Sequence, residues 1–241
     1  MLEARPAPML NETMSHQTTD VLRRALIRDL AAHVAALHRS HPVRVAVDGV
    51  DAAGKTTLAN ELAAAIESLG RRVIRASVDG FHHPAAVRRK RGLLSPDGYF
   101  HDSFNYPALV DALLQPLCPG GTRLYRRAVF DFRSDQAVEM PAEKAEEDML
   151  LMLDGVFLLR PELRDYFDFS IFVHADFDVT LKRAEARDLE QFGSVEEVRR
   201  RYLERYIPGQ RLYLASVRPE AFASVVIDNS DLLSPVAQYR V

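Results

Sequence analysis

The stretch Gly49-Val50-Asp51-Ala52-Ala53-Gly54-Lys55-Thr56, with Thr57 after it, restricts this chain more than any other feature. It fits the pattern G-x-x-x-x-G-K-[ST], and its flanks have the rhythm that pattern needs. Val43, Val45 and Val47 alternate toward Asp48, as in a strand. Leu58, Leu62, Ile66 and Leu69 then recur at helical spacing, and Gly70 stands where a helix end favours a left-handed residue. Val73 to Val78 reads as a second strand. Strand, glycine loop, helix and strand make a βαβ unit, so the two strands should be parallel and the fold class α/β.

Phosphate chemistry explains the spacing. Two glycines let the backbone wrap closely around an anion. Successive amides point inward as a nest, and the following helix aims its positive end at the same place. Lys55 is placed to reach the β- and γ-phosphates and the Thr56 hydroxyl to ligate Mg²⁺. Gly49, Val50, Asp51, Ala52, Ala53, Gly54, Lys55, Thr56 and Thr57 are therefore the expected nucleotide-binding set. No Asn-Lys-x-Asp signature occurs, which favours ATP over GTP, and no G-x-G-x-x-G occurs, which disfavours dinucleotide enzymes.

In open α/β sheets, ligands bind at the carboxyl ends of strands. Asp79 follows the second strand in Val78-Asp79-Gly80-Phe81-His82, and Asp154 ends the apolar run Met149 to Leu153. An apolar strand ending in an acid suits an Mg²⁺ ligand, which Asp154 is expected to be alongside Thr56. Asp79 is the candidate to orient or deprotonate an acceptor hydroxyl. Each also stands before a glycine, as a turn aspartate would. Arg183 and Arg187 lie four residues apart on a helical stretch and share one face. They could clamp phosphate oxygens, or form a solvated face with Glu185 and Asp188.

The remainder of the chain reads as one domain over residues 19–241 behind a loose tail of 1–18. Asp20 to Ser40 carries a helical stripe, and residues 81–107 read as a long loop rich in Pro, Gly, Arg and His. Arg123 to Phe132 suggests a hairpin, Phe169 to Val173 and Val225 to Ile227 suggest strands, and Asp176 and Ser194 suggest helix caps. The 31 basic residues stand against 34 acidic ones, for a net charge of −3, which argues against nucleic acid as a partner even with Arg88-Arg89-Lys90-Arg91 present. No apolar run is long enough to span a membrane, and the single Cys118 forms no intrachain disulfide. A cytoplasmic location is expected, and homo-oligomerisation stays open.

Together these residues resemble the uridine kinase / phosphoribulokinase / pantothenate kinase family of P-loop kinases. Asp79-Gly80-Phe81-His82 is similar to the family's Asp-Gly-Phe-His, and Ser103-Phe104-Asn105-Tyr106-Pro107 to its Asn-Phe-Asp-His-Pro. Leu153-Asp154-Gly155 resembles a strand ending in Glu-Gly, and Lys182-Arg183-x-x-x-Arg187-Asp188 the lid sequence. The resemblance implies a P-loop NTPase fold, a three-layer α/β/α sandwich with a mostly parallel central sheet and a helical lid over about 183–205. It implies ATP and Mg²⁺, a small-molecule hydroxyl acceptor, catalysis by Asp79, Lys55, Arg183 and Arg187, and acceptor contacts from Phe81, His82, Asn105, Tyr106, Phe130 and Arg133. Asn105 replaces the aspartate that grips ribose in uridine kinases. Asp135 and Ala137 stand for the His and Arg of the uracil-reading pattern that begins at Phe130. A nucleoside acceptor is expected first, with pantothenate, a sugar or a sugar phosphate next. A P-loop ATPase of regulatory role is the alternative from another class.

Overall fold

The computed structural model of the chain describes residues 11–240. Its strands are β1 (Val43–Gly49), β2 (Val73–Ser77), the short β3 (Leu124–Tyr125), β4 (Phe130–Asp131), β5 (Gln136–Ala137) and β6 (Glu143–Lys144), then β7 (Leu150–Asp154), β8 (Phe169–His174), β9 (Val225–Asp228) and β10 (Val236–Tyr239). Its helices are α1 (Asn11–Ala35), α2 (Lys55–Ser68), α3 (Ala85–Arg88), α4 (Pro96–Asp102), α5 (Tyr106–Leu109), α6 (Phe177–Arg187), α7 (Leu189–Phe192), α8 (Val195–Arg201) and α9 (Ile207–Val217).

Six strands form one sheet in the order β10-β9-β8-β1-β7-β2. All neighbours run parallel except the β9–β10 pair at the edge. Both faces of β1 are covered, as parallel sheets require. Val43, Val45 and Val47 pack with Leu30 and Val34 of α1 and with Leu58, Leu62 and Ile66 of α2. Ala46, Leu151 and Leu153 pack on the other side with Leu113, Phe157 and Tyr213. Each large apolar side chain removed from water here contributes about 1.5–3 kcal/mol, which makes this three-layer arrangement the dominant constraint on the chain. A smaller cluster of Ala52, Ala184, Val198, Tyr202 and Ile207 packs the glycine loop against α6, α8 and α9.

Several local expectations are corrected. Of the expected tail, residues 1–10 lie outside the described residues, whereas 11–18 belong to α1, which ends at Ala35 rather than Ser40. Leu30 and Val34 of the apolar stripe are fully buried, whereas Leu22 is exposed. Residues 81–107 are not a long loop but hold α3, α4 and α5. Their prolines start helices rather than break them: Pro96 follows Ser95, whose Oγ accepts the Gly98 amide, and Pro107 follows the N-cap Asn105. Asp176 precedes α6 but its side chain caps no amide. Ser194 does accept the Glu197 amide, at 3.1 Å, and so caps α8. The hairpin near 123–132 is present as β4–β5, nested inside the β3–β6 pair.

Candidate active site

β1 stops in mid-sheet and delivers the glycine loop to the carboxyl edge, between β7 and β8. Gly54 sits at φ +96°, and a Cβ there would come within 2.6 Å of Asn229 Nδ2. That amide has a purpose: Asn229 donates to the Ala53 carbonyl at 2.6 Å and closes the loop from the end of β9. Lys55 is buried, and its Nζ donates to the Val50 carbonyl at 2.7 Å. Burial pulls its pKa down, while Asp51, Asp48 and Asp154 push it up. Among the described residues Lys55 has no ion-pair partner, so its charge is available to an anion in the loop.

Thr56 Oγ1 donates to Asp154 Oδ2 at 2.6 Å, so the two expected Mg²⁺ ligands lie side by side. Arg75 Nη2 holds the other carboxylate oxygen at 2.7 Å and so fixes the acid's orientation. No group of three or more His, Cys, Asp or Glu side chains is placed to hold a metal among the described residues. Mg²⁺, a hard cation, takes one or two protein oxygens and completes its shell with water and phosphate. The oxygen pair Thr56 and Asp154 fits it.

Asp79 leaves β2 on a tight turn, 78–81, where Ser77 Oγ accepts its amide. Crowding at the cleft and the charges of Asp51 and Asp154 push its carboxyl up to about 6, while Lys55 and Arg187 pull the other way. With 58% of its side chain open, water tempers the burial part, and the two neighbouring carboxylates secure the upward direction. Asp51, Asp154, Lys55 and Arg187 thus all lie within electrostatic range of Asp79. His82 Nδ1 donates to the Asp79 carbonyl at 3.0 Å. Its ring lies 4.4 Å from Phe104 and 4.8 Å from Phe132, and burial lowers its pKa to about 4, so it is neutral at pH 7. Phe81 is fully buried beneath it, a core residue rather than a wall of the site.

The two arginines have different partners. Arg187 is gripped by Asp188, at 2.7 and 2.9 Å, and by the Tyr202 hydroxyl at 2.9 Å. The Asp188 hydrogen bond is the main reason its pKa rises. Arg183 Nη2 instead donates to the carbonyls of Asn229 and Ser230, both at 2.9 Å, and its Nη1 is buried without a partner. Asn105 spends Oδ1 on the Ala108 amide as the N-cap of α5. Tyr106 stacks under Arg160, at 4.5 Å, with its hydroxyl buried and unpartnered. Phe130 is half-buried in the β4–β5 hairpin, and Arg133 is exposed at its tip beside Phe132.

Three positions escaped the reading of the sequence. Asp48, fully buried below the loop, accepts from the Gly49 amide at 2.7 Å, the Leu159 amide at 3.0 Å and the Tyr213 hydroxyl. Its alternation with Val47 marked a strand end, and nothing local showed that Tyr213 would reach it. Gln210 and Tyr99 both bind Asp51, Gln210 through its amide nitrogen at 2.9 Å and Tyr99 through its hydroxyl at 2.6 Å. Both come from helices far away in sequence.

Residues 45–221 match the Phosphoribulokinase / Uridine kinase family. The chain is similar to uridine-cytidine kinase B of Dictyostelium discoideum, 28% identical over 166 residues, covering 68% of this chain and 66% of that one. It is similar to a pantothenate kinase of Rhodopseudomonas palustris, 29% identical over 185 residues, covering 71% and 57%. It thus spans somewhat more than half the length of these curated relatives. The fold matches a possible uridine kinase from Bacillus stearothermophilus with a TM-score of 0.67 at 23% identity, over 84% of this chain and 97% of that one. A glycine loop at a sheet edge, an acid on a neighbouring strand and a match over most of the length place the chain in the phosphoribulokinase / uridine kinase family, whose fold is that of the P-loop kinases.

Proposed function

We propose that this chain transfers the terminal phosphoryl group of ATP to a hydroxyl of a small neutral acceptor, most simply a nucleoside. The observation that carries this reading is the position of Asp79. It lies within electrostatic range of Lys55 and Asp154, beside the neutral rings of His82 and Phe132, with Phe104 buried behind His82. Lys55 and the loop amides hold the phosphates, and Asp79 accepts the proton of the acceptor hydroxyl. Mg²⁺, when bound to Thr56 and Asp154, supplies charge neutralisation at the phosphates. Arg187, fixed by Asp188 and Tyr202, adds positive charge at the cleft, and Arg183 lines its β9 side. Closure of the 183–205 segment over the cleft would exclude water, so that transfer outruns hydrolysis.

Base reading in this site is weak. Asp131 is consumed by its own turn, accepting from the Arg133 amide at 3.0 Å and the Ser134 hydroxyl at 2.7 Å. Asp135 accepts from the Ala85 amide at 2.8 Å and from Arg88 at 3.1 Å. The acceptor ring is held by stacking, with few hydrogen bonds to its edge, and discrimination among bases follows hydrogen bonds to buried polar groups.

The test is ADP release with ATP and Mg²⁺ across ribonucleosides, pantothenate, hexoses and sugar phosphates. Acceptor-dependent release with several nucleosides is the expected result. Release indifferent to every acceptor would replace this reading with an ATPase, and release only with pantothenate or a sugar would replace the acceptor.

A further inference from the structure

Asp51 lies within the glycine loop, yet its bonds turn it out of the phosphate nest. Its amide donates to Gln210 Oε1 at 2.9 Å and is thereby withdrawn from the inward-pointing set. Its Oδ2 accepts from Gln210 Nε2 at 2.9 Å and from the Tyr99 hydroxyl at 2.6 Å. Tyr99 belongs to α4, within the 81–107 segment on the acceptor side, and Gln210 to α9, which packs against α4. A carboxylate turned into a polyphosphate cradle would be repelled by it. Here it is anchored toward the acceptor instead.

The anchoring is one-sided. Both hydrogen bonds fall on Oδ2, and among the described residues none falls on Oδ1. The residue is half-buried rather than sealed. Tyr99, which holds it, lies in the segment that begins at Phe81, two residues after Asp79, and the Asp51 charge is near enough to raise the Asp79 pKa. A carboxylate only accepts, and its natural donor there is a second hydroxyl. Asn105, the position that would grip an acceptor diol by resemblance, has spent its oxygen on α5.

We infer that Asp51 is a specificity-determining residue that accepts a hydrogen bond from a second acceptor hydroxyl and, with Asp79, selects neutral polyhydroxyl acceptors over anionic ones. The inference rests on the kinase reading above. Two negative charges at the acceptor site disfavour the carboxylate of pantothenate and the phosphate of a sugar phosphate, and the hydroxyl-to-Asp51 bond rewards a diol.

The experiment compares wild type with Asp51→Asn on uridine, cytidine and adenosine, their 2′- and 3′-deoxy counterparts, ribose, pantothenate and ribose 5-phosphate. Wild type should prefer neutral acceptors, and removal of one hydroxyl should cost about 10- to 100-fold in kcat/KM, the worth of a hydrogen bond to a charged group. In Asp51→Asn the acceptor KM should rise more than the ATP KM, and the deoxy penalty should shrink. An unchanged deoxy penalty, ATP and acceptor KM rising together, or an anionic best acceptor would each overturn the inference while leaving the kinase reading in place. Absence of transfer to every acceptor would overturn both. Should Asp51→Asn fail to fold, the wild-type panel decides alone. A neutral diol preference with a hydroxyl penalty supports the inference, and an anionic preference or no penalty overturns it.

Discussion

Thr56 and Asp154 stand 98 residues apart in the chain and share a hydrogen bond of 2.6 Å. One hydroxyl opens α2, one carboxylate ends β7, and the parallel register of β1 with β7 brings them together, with Val47 opposite Asp154. Arg75 holds the second carboxylate oxygen. Asp154→Asn keeps the shape and removes the charge. It should raise the Mg²⁺ concentration needed for half-maximal turnover and lower kcat by about 10²–10³-fold. Titration of activity with Mg²⁺ checks this, and an unshifted titration contradicts the ligand assignment.

The pH profile follows from Asp79. With its carboxyl pushed up to about 6, the group is protonated below that value and cannot accept the hydroxyl proton. Log kcat/KM should therefore climb with pH and level off above about 6, and Asp79→Asn should flatten that limb. Stability runs the opposite way. A carboxyl raised above its unfolded value penalises the fold where it is ionised, above the folded value. Asp79→Asn should therefore raise Tm at pH 7, and the gain should fade as pH falls from about 6 toward 4. Thermal melts at both pH values measure it.

Arg187 owes its placement to Asp188, which is buried and accepts from Nε and Nη2 of the guanidinium and from the Tyr202 hydroxyl. Arg187→Ala should lower kcat by about 10²–10³-fold with a smaller effect on ATP affinity. Asp188→Asn should lower kcat less, because the guanidinium keeps its charge and loses its alignment. Equal kcat in wild type and Arg187→Ala would remove the arginine from the transfer step.

Tyr213 and Asp48 tie α9 to β1 beneath the loop. Tyr213 also receives the Leu159 amide at 3.1 Å. Tyr213→Phe leaves a buried acid short of a donor and should cost about 1–3 kcal/mol in urea unfolding with an unchanged m-value. A cost below the scatter of the measurement would show that Asp48 finds other partners.

The sheet was legible because its strands are short apolar runs and its first loop carries its own chemistry. Val43 to Val47, Met149 to Leu153 and Phe169 to Val173 announced themselves by composition, whereas β10, with its residues mostly exposed at an edge, carried no apolar run. The loop's Lys55 and Thr56, and Asp154 on its strand, were readable because spacing fixes their geometry. Gln210, Tyr99 and Tyr213 were not, since their roles depend on long-range packing of α4 and α9 that no local pattern encodes. The 81–107 segment misled because proline and glycine signal breaks whether they end structure or begin it. Asp51 reads as a nucleotide contact by its place in the motif, and its bonds to Gln210 and Tyr99 come from helices that no local pattern links to it.

In the proposed reaction Asp79 aims an acceptor hydroxyl at a triphosphate held by the glycine loop. Its most direct test is ATP affinity and acceptor-dependent phosphoryl transfer measured on one preparation of Asp79→Asn. ATP affinity should stay at the wild-type value while transfer falls by about 10²–10⁴-fold. Transfer at the wild-type rate in that variant would contradict the role of Asp79.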